Sequence, residues 1–304
     1  MDERQRMLAE LDDPELASYF YLDKTMPEVL RYLDSLQLTL DPLADDMPFN
    51  AAVKGYGGAK DMQGHPWIVK PITNKQDILY HRLCTLAYLL DHATGTLAAP
   101  TGIASIDGSV YRITKVVRKS IQISSYPYLD QPYIGIIRAD LVNRWLYFDE
   151  DRNPNNYLVV HNRKQRPFVV AIDYDKADLA SPVMKITGDQ QKFGWFRSEK
   201  TRFLTLLRPT HFDGISIDVF DARLKAICGI TEAELRSIVH QLLDAYSDAA
   251  YADAIVANLL ARRAYIDEYF RRMFKSAAET TDSRHDDDYA AFGDSFRNMY
   301  KDKN

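Results

Sequence analysis

Two short apolar runs, YLVV at 157–160 and FVVAI at 168–172, are bracketed by Asp151, Asn156 and Asp173, and an earlier run, WIVK at 67–70, ends in Lys70. Carboxylate and carboxamide oxygens are hard ligands of the kind Mg²⁺ takes, and a lysine at a strand end neutralises phosphate oxygens. An acid five residues before an amide, as in DRNPNN (151–156), can hold a hydroxyl for attack on phosphorus while the amide serves the metal. Ahead of Lys70 lies GYGGAK (55–60), where Gly55, Gly57 and Gly58 would let backbone N–H groups approach phosphate, with Ala59 and Lys60 completing the cradle. Asp77 follows on the next helical stretch and is the acid placed to fix Lys70. In this order along the chain the parts suit phosphoryl transfer.

The elements that must position these residues are legible from periodicity. WIVK reads as a strand ended by Pro71, and Ile78, Leu79, Leu83, Leu86 and Leu90 lie on one broad helical face. GIASI and SVYRITKVV flank Asp107-Gly108, the dipeptide suited to a two-residue turn with positive φ at both positions. ADLVNRWLYF (139–148) has helical spacing and stops at the polar loop 149–156. YLVV and FVVAI, separated by HNRKQRP, should pair antiparallel, which sets Asn156 beside Asp173 at one hairpin end. Residues 1–46 suggest two short amphipathic helices, and 174–230 read as irregular with short helices. Thr231 and Glu234 form a capping box ahead of Leu235, Ile238, Val239, Leu242 and Leu243; a further helix carries Ile255, Leu259, Ile266, Phe270 and Phe274. The last ~30 residues lack a sustained apolar face and read as a mobile acidic tail.

Taken together, GGAK with WIVKP, DRNPNN with YLVV, and AIDYD resemble the HipA-like kinases, a divergent branch of the protein-kinase and phosphoinositide-kinase superfamily. The resemblance covers roughly residues 50 to 180. It implies an α+β, bilobal protein-kinase-like fold, with a mixed N-lobe built on an antiparallel sheet and a largely helical C-lobe. The corresponding division is a helical cap at 1–49, an N-lobe at 50–118, a C-lobe at 119–275 and a tail at 276–304. It implies ATP and Mg²⁺ as cofactors, Lys70 on the α- and β-phosphates, Asp151 as catalytic acid, and Asn156 and Asp173 as metal ligands. The adenine would pack near TKVVRK, at Val116 and Val117. A protein Ser/Thr acceptor is expected, and a regulatory partner protein is conceivable. Asp77 stands where the family usually shows Glu, a shorter arm toward Lys70. Nucleotide binding without turnover, and transfer to a small molecule or lipid headgroup, are the alternatives that keep the fold. Ser120, Ser124 and Ser125 are expected autophosphorylation sites.

Each part alone has an ordinary reading. Glycines 55, 57 and 58 make a loop, Lys70 a solvated strand end, Asp77 a helix-start acid, DRNPNN a polar turn and Asp173 a cap. His65, His81, His161, His211, His240 and His285 show no metal-ligand spacing, the 19 Tyr and 13 Phe suit core packing, and Arg262, Arg263, Arg271 and Arg272 read as a solvated basic face. The 304 residues, 46% hydrophobic, can bury a substantial core. A net charge of −5 supplies no global field for nucleic acid or anionic membrane. No apolar run approaches the ~18 residues of a membrane span. Two cysteines, read as buried thiols, and a charged N-terminus suit a reducing, cytoplasmic setting.

Overall fold

The computed structural model describes residues 3–41, 56–149, 151–181, 207, 209–212 and 214–274; Gly55 and the tail expected at 276–304 lie outside them. Helices α1 (Glu3–Leu11), α2 (Pro14–Tyr19) and α3 (Met26–Asp34) are followed by strand β1 (Leu38–Leu40). Among its described residues the N-terminal segment therefore holds three helices rather than two, and its strand pairs antiparallel with β2 (Gly57–Asp61) at the edge of the main sheet. β3 (Pro66–Pro71) runs one residue past the expected stop, because Pro71 sits at the strand end where it needs no ladder donor. Then come α4 (Lys75–Ala93) and a hairpin of β4 (Thr101–Ile106) and β5 (Ser109–Lys115). The five strands are antiparallel in the order β1-β2-β3-β5-β4. Asp107 and Gly108 have φ of 49° and 78°, the positive pair that the dipeptide predicts.

A second, three-stranded sheet contains β6 (Ile121–Gln122), β7 (Tyr157–His161) and β8 (Pro167–Ala171). Between β6 and β7 runs α5 (Tyr133–Tyr147), which begins six residues before its expected start at 139 and ends at Phe148 in a left-handed conformation, φ 46°. The C-terminal part is helical: α6 (Asp218–Gly229), α7 (Glu232–Leu243) and α8 (Ala249–Met273). α6 is a full twelve-residue helix inside the segment expected to be irregular with short helices. At α7 the capping box closes as its spacing predicts, with the Thr231 N–H donating to Glu234 at 2.8 Å and the Glu234 N–H to Thr231 Oγ1 at 3.2 Å.

One apolar cluster runs from Val29, Leu30 and Trp67 through Leu86 and Trp145 to Phe270 and Phe274. Its C-terminal end is aromatic: Phe270 stands 5.1 Å from Trp145 and 4.9 Å from Phe220, edge to face. A smaller cluster ties Leu11, Ala17 and Phe20 of the N-terminal helices to Val117, Val160, Phe168 and Val170. Gly95 ends α4 at φ 76°, and a Cβ there would lie 2.6 Å from the Glu3 carbonyl, so only glycine lets α1 approach this corner.

Two readings are corrected. Arg262 is 1% exposed, not part of a solvated basic face; it donates to the carbonyls of Leu146 at 3.1 Å and Asp178 at 2.7 Å, sewing α8 to the end of α5. Arg263 reaches the Ile230 carbonyl, and Arg271 is held by Asp267 and Asp221. Cys84 is buried as expected, whereas Cys228 is exposed on α6. No helix among the described residues is long and apolar enough to cross a membrane.

Candidate functional site

Antiparallel pairing of β7 with β8 sets Tyr157 against Ala171, and the Ile172 N–H donates to the Asn156 carbonyl at 3.1 Å. Asn156 and Asp173 therefore leave the same hairpin end. Asn156 closes a short 3₁₀ turn (Pro154–Asn156) whose cap is Asn153, accepting from the Asn155 N–H at 2.8 Å. Its side-chain N–H donates to the Asp151 carbonyl, and the described residues give its carboxamide oxygen no partner. The Asp151 carboxylate accepts from Asn153 at 3.0 Å and is half-buried.

Asp173 has φ 59°, a left-handed turn that carries the chain back toward the large sheet. There it meets the strand that holds Lys70. Lys70 on β3 is in register with Arg112 on β5. Arg112 lies 3.3 Å from Asp173 and also pairs with Asp175, while the Lys70 ammonium is 3.6 Å from Asp175. The hairpin end with Asn156 and Asp173 is thus joined to Lys70 through Arg112 and Asp175, two residues the sequence pattern does not single out. The expected partner, Asp77, is elsewhere: it is exposed in the first turn of α4 and makes no ion pair with Lys70. Its placement is that of an acid favourable to a helix N-terminus.

The field of the two cations reaches α4. Burial, and then Arg112 and Lys70, push the His81 imidazole down to about 4, so it is neutral near pH 7. Burial also pushes the Cys84 thiol up to about 11.

On β2, Gly58 and Ala59 are buried and Gly57 exposed; a Cβ on Gly57 would stand 3.0 Å from Val69 Cγ2. Lys60 is exposed and held 2.5 Å from Asp41, on the side of β2 away from β3, rather than beside Lys70. Val116 and Val117 are 7% and 8% exposed. The Val116 N–H donates to the Pro66 carbonyl at 3.0 Å and its C=O accepts from the Tyr19 hydroxyl, so neither of these groups is open to a base. Val117 packs among Leu11, Phe20 and Val160. A separate cleft of about 400 Å³, lined by Thr96, Asp140, Tyr157, Phe168 and Arg223, contains none of the predicted site residues.

A buried network holds the loop. Arg152, 0% exposed, forms an ion pair with Asp149 at 3.0 Å, donates to the Ile172 carbonyl at 2.5 Å, and lies 4.5 Å over the Tyr174 ring. Asp149 also accepts from the Asp151 N–H at 2.9 Å. Behind them Asp91 accepts from Asn143 at 2.9 Å, Tyr147 at 3.1 Å and Tyr174 at 2.7 Å. Burial, with Asp140 nearby, pushes the Asp91 carboxyl up to about 6 against the pull of Arg152. Arg152 so locks Asp151 to the strand end that carries Asp173. The sequence signals were present but mute: an Arg inside DRNPNN and an Asp inside the apolar run LAYLLDHA.

No protein-family model matches this sequence. No curated protein matches it either. Among solved structures, that of the proinflammatory kinase CtkA of Helicobacter pylori is similar at a TM-score of 0.45 and 9% identity, over 72% of this chain and 94% of that one.

Proposed function

We propose that this chain is an ATP- and Mg²⁺-dependent phosphotransferase with a kinase-like, two-lobed arrangement dividing near residue 118, and that its acceptor is a protein Ser/Thr hydroxyl. The observation that carries the reading is the convergence of Lys70 on β3 with the hairpin end bearing Asn156 and Asp173, joined through Arg112 and Asp175. A strand-borne cation and two oxygen donors at one point are what a metal-bound polyphosphate needs.

The donor chemistry fits Mg²⁺. Among the described residues no group of three or more His, Cys, Asp or Glu could hold a metal alone. Mg²⁺ is commonly held by one or two carboxylates with the remaining positions filled by phosphate and water, which suits Asp173 and the Asn156 carboxamide oxygen. Bound Mg²⁺-ATP supplies the phosphoryl group and offsets part of its charge. Lys70 would neutralise the non-bridging oxygens, and Asp151, held by Asn153 and by the Arg152–Asp149 pair beneath it, would orient the acceptor hydroxyl and take its proton.

Incubation of the purified chain with γ-labelled Mg-ATP and generic protein, lipid-headgroup and sugar acceptors tests this. Label on Ser or Thr of the protein acceptors is expected; label only on lipid or sugar would move the acceptor class. A second reading, nucleotide binding without turnover, is favoured by one feature: the ion partner of Lys70 is Asp175 rather than an acid on α4. ATP binding with no label on any acceptor would select it.

A further inference from the structure

Lys70 and Arg112 are directly opposed across β3 and β5. Opposed residues of an antiparallel pair stand on the same side of the sheet with Cβ atoms ~4.5–5.5 Å apart, and like charges placed there destabilise it. The chain offsets their repulsion with carboxylates brought by the turn after β8, Asp173 on Arg112 and Asp175 on both. Of the two cations Arg112 is held more deeply: its side chain is 8% exposed, against 33% for Lys70 and 28% for Asp175. The backbone of Asp175 is fixed independently of its carboxylate. Its N–H donates to Asp173 Oδ1 at 3.3 Å and its C=O accepts from the Tyr80 hydroxyl, so the carboxylate can change partner while the turn stays in place.

We propose that Arg112 is a second polyphosphate-binding residue beside Lys70, and that the Asp175 carboxylate is an internal counter-anion that a bound polyphosphate displaces from both. The inference rests on the nucleotide reading above and adds to it. A guanidinium presents a planar fork that matches phosphate oxygens two at a time, whereas an ammonium acts as a point charge; side by side they suit a chain of phosphates better than either alone. Lys70 shares its carboxylate, Asp175, with Arg112, which also holds Asp173, so Lys70 is the less fully compensated of the two cations. A triphosphate carries more charge and more acceptor oxygens to the same place, so the exchange is favourable. The carboxylate, more than a quarter exposed, is hydrated once released.

The test is calorimetric titration of inorganic tripolyphosphate, and separately of ATP, in EDTA at low ionic strength. The full chain is used as wild type, Lys70→Met, Arg112→Met and Asp175→Asn, each checked by thermal unfolding. Arg112→Met should weaken binding by at least as much as Lys70→Met, about tenfold or more. Asp175→Asn should tighten binding about five- to tenfold by removing the competing anion. Should Arg112→Met fold poorly, Arg112→Lys retains the charge without the fork and should show an intermediate loss. Wild-type affinity in the folded Arg112 variants, or no tightening in Asp175→Asn, would overturn the inference while leaving Lys70 as the phosphate cation. Absence of ATP binding to the wild type, in EDTA and again with Mg²⁺ added, would instead overturn the nucleotide reading and the inference with it.

Discussion

Replacing Arg152 with methionine keeps an apolar stem but removes the charge that two fully buried carboxylates share. Asp149 is 1% exposed and forms an ion pair with Arg152 at 3.0 Å; Asp91 is 0% exposed and lies 3.8 Å from it. The same guanidinium bonds the Ile172 carbonyl, so the variant also frees the strand end that leads to Asp173. Removing one partner of a buried ion pair costs about 3–5 kcal/mol, because the charge left behind is neither solvated nor paired. Against a total stability of about 5–15 kcal/mol this is a large share. Denaturant unfolding followed by circular dichroism should show a loss in that range. The double variant Arg152→Met/Asp149→Asn should recover part of it, since the uncompensated charge is gone, with a coupling of about 1–3 kcal/mol. A loss below about 1 kcal/mol, or strict additivity in the double variant, would refute the view that this network carries the loop.

Lys70→Met should abolish phosphotransfer while leaving the unfolding midpoint within a few degrees of wild type, since only a charge one-third exposed is lost; unchanged turnover in a clean preparation contradicts the assignment. Peptide fragmentation mass spectrometry after incubation with Mg-ATP should show phosphate on Ser124 or Ser125 before Ser120, whose hydroxyl is held by the Val117 carbonyl at 2.6 Å; no added phosphate removes the idea. Burial holds the His92 imidazole at about 4, below its ordinary 6.5, with its Nε2–H donating to the Tyr21 carbonyl at 2.8 Å. A histidine depressed in the folded state contributes stability that is present above pH 6.5 and lost as pH falls through 4, up to about 3 kcal/mol. The neighbouring Asp91, raised to about 6, acts with the opposite sign as it takes up its proton, so the readout is the difference between wild type and His92→Gln. The variant should lose less stability than wild type between pH 6.5 and 4, and parallel profiles would contradict the assignment.

The parts of the fold that were legible in the sequence are those fixed by local rules. Asp107-Gly108 sets the β4–β5 turn, Thr231 and Glu234 start α7, and the short apolar runs YLVV and FVVAI, parted by the polar HNRKQRP, set the hairpin that brings Asn156 to Asp173. What was not legible depends on partners distant along the chain. β1 is three residues long and is a strand because β2 offers an edge. The place and length of α6 are not readable because its inward stripe of Phe220, Leu224 and Ile227 is interrupted by a buried arginine, Arg223, which bonds the carbonyls of Thr94 and Gly95. Arg262 reads as polar surface for the same reason, since an amphipathic pattern does not tell a solvated arginine from one that caps distant carbonyls. Within the candidate site, the order glycines, Lys70, Asp151, Asn156, Asp173 is readable, but the ion pair of Lys70 is not. Arg112 sits in SVYRITK as an ordinary strand arginine, and Asp175 ends AIDYD, two residues past Asp173, with no role of its own in the pattern. Only register and the left-handed turn at Asp173 place them beside Lys70.

The central claim, that Lys70 and the hairpin end at Asn156 and Asp173 form a Mg²⁺-nucleotide site, is tested most directly by calorimetric titration of ATP with and without Mg²⁺ into wild type, Asp151→Asn and Asp173→Asn. The account predicts that wild type and Asp151→Asn bind ATP more tightly with Mg²⁺ than without. Asp173→Asn should lose that Mg²⁺ dependence, because a hard anionic oxygen is withdrawn from a metal held by few protein ligands. Wild-type Mg²⁺ dependence in Asp173→Asn would contradict it.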